Sequence, residues 1–151
     1  RDLEAIVQNQ QHRSFHQAFV LQHVQVSAGT GSMPTATVCL SSDDGTEFSD
    51  AAIGDGPVPA ICQAVNRIVG VPNQLTEFSV SAVAGGIDAI GEVTIRIESD
   101  AKAFSGHGAD TDILVASAQA YVNALNRLLA GLGKDWSATP EAQAVGRTAD
   151  V

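Results

Sequence analysis

The chain has 151 residues, eight basic and 17 acidic, for a formal net charge of −9, with 44% hydrophobic and 17% charged residues. That is the length of one domain with tails, too apolar for wholesale disorder and too acidic for a nucleic-acid or anionic-membrane partner. The two cysteines, Cys39 and Cys62, allow one bridge at most and read as free thiols of a reducing, cytoplasmic compartment. No run approaches the roughly 20 apolar residues of a membrane span, and no basic segment followed by an apolar one marks a signal peptide.

Residues 1–17 are polar and rich in Gln and His. They read as a linker with a short helix that Asp2 caps and that lines up Leu3, Ile6 and Val7. From residue 18 the period becomes two. A strand is expected over 18–28, a loop at Gly29, Gly31 and Pro34, and a second strand over 35–41 with Ala36, Val38 and Leu40 on one face. Asp43-Asp44-Gly45 signals a hairpin, followed by a weaker strand over 46–52. After Gly54-Asp55-Gly56, residues Val58, Ile61, Cys62, Val65, Ile68 and Val69 fall at helical spacing, with Pro57 suited to the first turn and Gly70 to the end.

The order then repeats. Strands are expected over 76–84 and 91–98, a turn at Asp100, a short strand over 101–105, Gly106-His107-Gly108 as a connection, and a helix over 111–129 capped by Asp110 or Thr111. The spacing predicts an α+β fold: two βββα modules related by pseudo-twofold symmetry, helices packed between two antiparallel three-stranded sheets. Each module carries a Gly-x-Gly before its helix and an Asn-Arg pair near the helix end, Asn66-Arg67 and Asn126-Arg127. The expected organisation is a linker (1–17), module 1 (18–72), module 2 (73–134) and a flexible tail (135–151), since the last segment has no period. The small-residue stripe Ala116, Ser117, Ala120 and Ala124 would permit close packing against a second copy.

Little here resembles an active site. His12 and His16 lie four apart but have no third ligand nearby, and read as solvated linker residues. No nucleophile elbow is present, and no Cys lies near a His in sequence. Asp110 and Asp112 flank a helix start, where carboxylates favour the dipole. No catalytic residue, metal ligand or cofactor is expected. The glycine-flanked helix starts are more informative. Glycines admit close backbone approach and free amides attract an anion, so a small carboxylate-bearing ligand fits, with Asp55 and Asp88 able to meet an ammonium.

Four runs occur in order: Gly54-Asp55-Gly56-Pro57-Val58, Phe78-Ser79-Val80-Ser81-Ala82, Gly86-Ile87-Asp88-Ala89-Ile90-Gly91-Glu92-Val93, and Gly106-His107-Gly108-Ala109-Asp110-Thr111-Asp112-Ile113. Over roughly residues 19–129 the chain resembles the C-terminal regulatory, or allosteric dimerisation, domain of the 2-isopropylmalate synthases. The resemblance implies a regulatory fragment, not an enzyme by itself, and Arg1 in place of Met agrees with a fragment. It implies that an N-terminal TIM-barrel catalytic domain, using a divalent metal and acetyl-CoA, stands elsewhere in a parent protein of leucine biosynthesis. It implies a homodimer that binds leucine, or another branched-chain amino acid, for feedback inhibition. The effector-binding positions it implies are Gly54, Asp55, Gly56, Val58, Leu75, Phe78, Ala82, Asp88, Ala89, Ala109 and Asp110. Two alternatives stand beside it: an isoleucine-binding domain of a citramalate synthase, and a dimerisation module without an effector.

Overall fold

A computed structural model describes residues 18–83 and 89–132. The elements run β1 (Phe19–Gly29), β2 (Ser32–Ser42), β3 (Glu47–Ile53), α1 (Pro57–Val69), β4 (Gln74–Val83), β5 (Ile90–Ser99), β6 (Lys102–Asp110) and α2 (Ile113–Leu132). The expected α+β architecture is present: βββα twice, with one antiparallel sheet ordered β1-β2-β3 and another ordered β4-β5-β6. The expected linker helix, the tail, His12, His16 and Asp88 lie outside the described residues.

Alternation sets each central strand. In β2, Ala36, Val38 and Leu40 are fully buried; in β5, Val93, Ile95 and Ile97 are. Successive side chains point to opposite faces, so each trio defines the helix-facing side of its sheet. The paired residues share that side: Val26, Val24 and Leu21 of β1 lie opposite Ala36, Val38 and Leu40. Helix α1 packs on β2 and β3, while α2 packs on β5 and β6 and reaches across to β1; the two helices also meet. The core is therefore shared between the modules.

Termination follows local chemistry. Pro57 opens α1, and Gly70 closes it in the left-handed conformation (φ 72°), its N–H donating to the Asn66 carbonyl at 2.8 Å. Asp112, not Asp110 or Thr111, caps α2: its Oδ1 accepts from the Leu114 N–H at 2.9 Å. The β5–β6 hairpin turns on Asp100 and Ala101, both at positive φ (54° and 66°), as a tight two-residue turn demands.

Two expectations need correction. Gly106-His107-Gly108 is not a connection: it lies inside β6, which runs to Asp110. A Cβ on Gly106 would strike the Ala120 carbonyl and come within 2.9 Å of Ala124 Cα; one on Gly108 would strike the Ala116 carbonyl. These glycines let α2 lie directly on the strand, so the stripe Ala116, Ser117, Ala120 and Ala124 is buried within one protomer and does not form the face for a second copy.

Candidate functional site

The first group of expected site residues surrounds the start of α1. Gly54 is buried and donates its N–H to the Pro34 carbonyl at 3.1 Å. A Cβ there would run into the Ala60 backbone, at 2.7 Å from its Cα, so this glycine serves the packing of the helix's first turn. Gly56 differs. Its φ of −160° is ordinary extended backbone, and a Cβ would meet nothing closer than Pro59 Cδ at 3.6 Å. Nothing among the described residues requires glycine at 56.

Prolines at 57 and 59 remove two N–H groups from the first turn. Among the described residues, the donors of this helix start without a partner are therefore those of Gly56 and Val58, since Ala60 already donates to the Gly56 carbonyl at 3.0 Å. Free amides at a helix start suit a carboxylate. Asp55 is exposed beside them and Val58 is half-buried.

The second group lies on sheet β4-β5-β6. Leu75, Phe78 and Ala82 stand opposite Ile97, Ile95 and Gly91, so they continue the helix-facing side of β5 onto β4. Among the described residues no helix covers them, and β4 touches only β5. Leu75 and Phe78 are 39% and 38% exposed, and Val80, opposite the buried Val93, is 48% exposed. Val80 is not among the expected site residues, although its alternation with Phe78 and Ala82 puts it on their face. This is an apolar face beside a finished core, and none of the described residues rests on it.

Ala89 precedes β5, and Ala109 and Asp110 end β6, with Asp110 opposite Gly91 and Gly91 opposite Ala82. These residues share one end of the sheet. Ala109 donates its N–H to Gln119 Oε1 at 3.1 Å. Asp110 Oδ1 accepts from the Asp112 N–H at 2.9 Å, so part of this carboxylate is committed to the start of α2. The structure thus places the expected residues in two groups, and α1 makes no contact with β4. One protomer does not bring Val58 against Leu75, Phe78 or Ala82.

A depression of about 470 Å³ lies elsewhere, between the edge of β6 and α2, lined by Ala103, Phe104, Ser105, His107, Arg127 and Ala130. It is open and holds none of the expected residues, so volume alone does not mark the site. Among the described residues no group of three or more His, Cys, Asp or Glu side chains could hold a metal. Cys39 and Cys62 are free thiols, and burial pushes Cys62 up to about 12, which makes it an inert core residue.

Fold and site together define a two-module α+β domain with an apolar sheet face left open and a glycine-flanked helix start. The family model for the LeuA allosteric (dimerisation) domain matches residues 1–129, and the chain belongs to that family. It is similar to the 2-isopropylmalate synthase of Prochlorococcus marinus (strain MIT 9313), 57% identical over 145 residues, which are 96% of this chain and 26% of that protein. It is also similar to those of Nostoc sp. (strain PCC 7120), 61% identical over 131 residues, and Synechococcus sp. (strain WH7803), 58% identical over 131 residues, each covering 87% of this chain and 24% of the relative. The chain spans about a quarter of the length of these curated relatives.

Proposed function

We propose that this chain is the leucine-binding, dimer-forming regulatory part of a cytoplasmic 2-isopropylmalate synthase. The observation that carries the reading is the uncovered face of β4, an apolar extension of the core in a member of a dimerisation family. Leaving Leu75, Phe78 and Val80 half in water forfeits roughly 25 cal/mol for each Å² a partner would cover. A second copy is the occupant that the family description supports.

Leucine offers a carboxylate, an ammonium and a branched apolar chain. The Gly56 and Val58 N–H groups suit the first, Asp88 or Asp55 the second, and Val58, Leu75, Phe78 and Ala82 the third. Because α1 and β4 of one chain do not touch, the two groups meet only if the partner supplies one of them. Such a ligand would favour one dimer arrangement over another, and a coupling of about 1–3 kcal/mol shifts activity roughly 5- to 150-fold. The condensation of acetyl-CoA with 2-oxoisovalerate, with its divalent metal, belongs in this reading to the catalytic part of the parent protein.

Calorimetry with leucine, isoleucine and valine tests the reading. We expect saturable heat with leucine. Heat with isoleucine alone would point to a citramalate synthase, and a dimer giving no heat with any of the three would leave a dimerisation module only. Condensation activity in this chain alone would contradict the reading outright.

A further inference from the structure

Asn126 is 1% exposed, among the mostly apolar buried residues of α2. Ser117, also buried and polar, bonds its own helix, donating to the Ile113 carbonyl. Asn126 reaches out of its module. Its Oδ1 accepts from the Phe19 N–H at 2.9 Å, and its Nδ2 donates to the Phe19 carbonyl at 2.8 Å. The amide thus takes the part of a neighbouring strand for the first residue of β1, across 107 positions of sequence. The Phe19 ring beneath is buried and meets Phe48 edge-on at 6.2 Å.

The equivalent Asn of the first Asn-Arg pair does a related job. Asn66 Oδ1 accepts from Asn73 Nδ2 at 3.1 Å, and Tyr121 of α2 donates to Asn73 Oδ1 at 2.9 Å. Asn73 is the last residue before β4. So α1 holds the chain where it passes into module 2, and α2 holds it where it passes into module 1. A buried amide costs free energy unless both its ends are matched, and an apolar side chain would fill the same space without that demand. What the amide adds is a fixed position for one backbone residue.

We infer that Asn126 is a joint through which module 2 fixes the point where the preceding chain meets the domain, so that a ligand shifting one module against the other moves that point. The ligand half of this inference rests on the proposed leucine reading; the joint itself does not. Had β1 been held by β2 alone, its start would follow module 1 only.

Hydrogen exchange on the whole 151-residue chain, with L-leucine as the probe, tests both halves. In the wild type, saturating leucine should change exchange of the amides of residues 19–24 at least about fivefold. If calorimetry shows leucine bound and these amides do not respond, the transmission is overturned. If no heat appears, the leucine reading fails separately, and the ligand-free comparison decides the joint. Without ligand, Asn126→Ala should speed exchange of residues 19–24 at least about tenfold while 36–40 and 93–97 hold their rates. Asn123→Ala, on the same helix, frees the His107 carbonyl of β6 and should leave 19–24 unchanged. Where Ala disrupts the fold, Asn126→Leu fills the same space and removes both hydrogen bonds to Phe19. Unchanged rates at 19–24 in a folded Asn126 variant overturn the joint.

Discussion

At the scale of single residues, two glycines of one motif do different work. Gly54 is required by the Ala60 backbone, whereas Gly56 has room and ordinary backbone angles. Gly56→Asp should therefore leave folding intact and set a carboxylate beside the ligand's own. We expect leucine affinity to fall at least about tenfold, or 1.4 kcal/mol, by calorimetry. Gly54→Ala should instead lose stability, by about 1–3 kcal/mol, because the overpacked turn must shift. Ala101 holds φ 66° without being glycine. Ala101→Gly should raise stability by about 1 kcal/mol, seen as a melting midpoint higher by about 2–4 °C.

Titration behaviour follows from the core. Burial pushes the Tyr121 phenol from 10.0 up to about 12 and the Cys62 thiol from 9.0 up to about 12. Both groups are neutral in the folded chain and ionise more readily unfolded. Their contribution is thus fully present below about pH 9 and is lost as pH rises toward 12. Alkaline melts should show a midpoint that falls through this window. Tyr121→Phe should make the fall shallower while costing about 1–3 kcal/mol at neutral pH, since Asn73 Oδ1 loses its donor.

Elements show where sequence reasoning succeeds and where it stops. Strict alternation in 35–41 and 91–98 made the two central strands legible, because one buried face imposes period two. The glycines of β6 misled in the other direction. Glycine in a strand interior marks a close approach as well as a loop, and only the position of α2 tells which. The small-residue stripe of α2 carried the same ambiguity between a partner protomer and its own sheet. Gly106→Ala should lose about 3 kcal/mol or more by denaturant unfolding, with the oligomeric state of the folded fraction unchanged. If the stripe formed the dimer seam, the oligomer would fall apart first.

The helix also manages exposed strand edges. Gln119 and Asn123 bond the backbone of β6 at Ala109 and His107, and Asn126 bonds that of β1 at Phe19. Side chains so placed oppose stray strand pairing, which leaves β3 and β4 as the outer strands without such cover from α2. None of this was legible in the sequence, where the Asn-Arg pairs appeared only as marks of a repeat. An amide's partner depends on which distant strand passes it, and one sequence does not contain that.

At the scale of the whole molecule, the site residues at Gly54–Val58 and on β4 were named from a family resemblance, and Val80 was missed although it shares their face. What the sequence left out was separation: α1 and β4 do not touch in one chain. On the proposed reading the working unit is therefore two chains. Val80→Lys places a charge in the middle of the open apolar face, and the folded variant should sediment as a monomer where the wild type sediments at twice the chain mass.

A leucine titration of these two proteins, followed by calorimetry at matched concentration, tests the composite site most directly. The account expects saturable heat from the wild-type dimer and none from folded, monomeric Val80→Lys. A monomeric variant that bound leucine as the wild type does would place the whole site within one chain and contradict it.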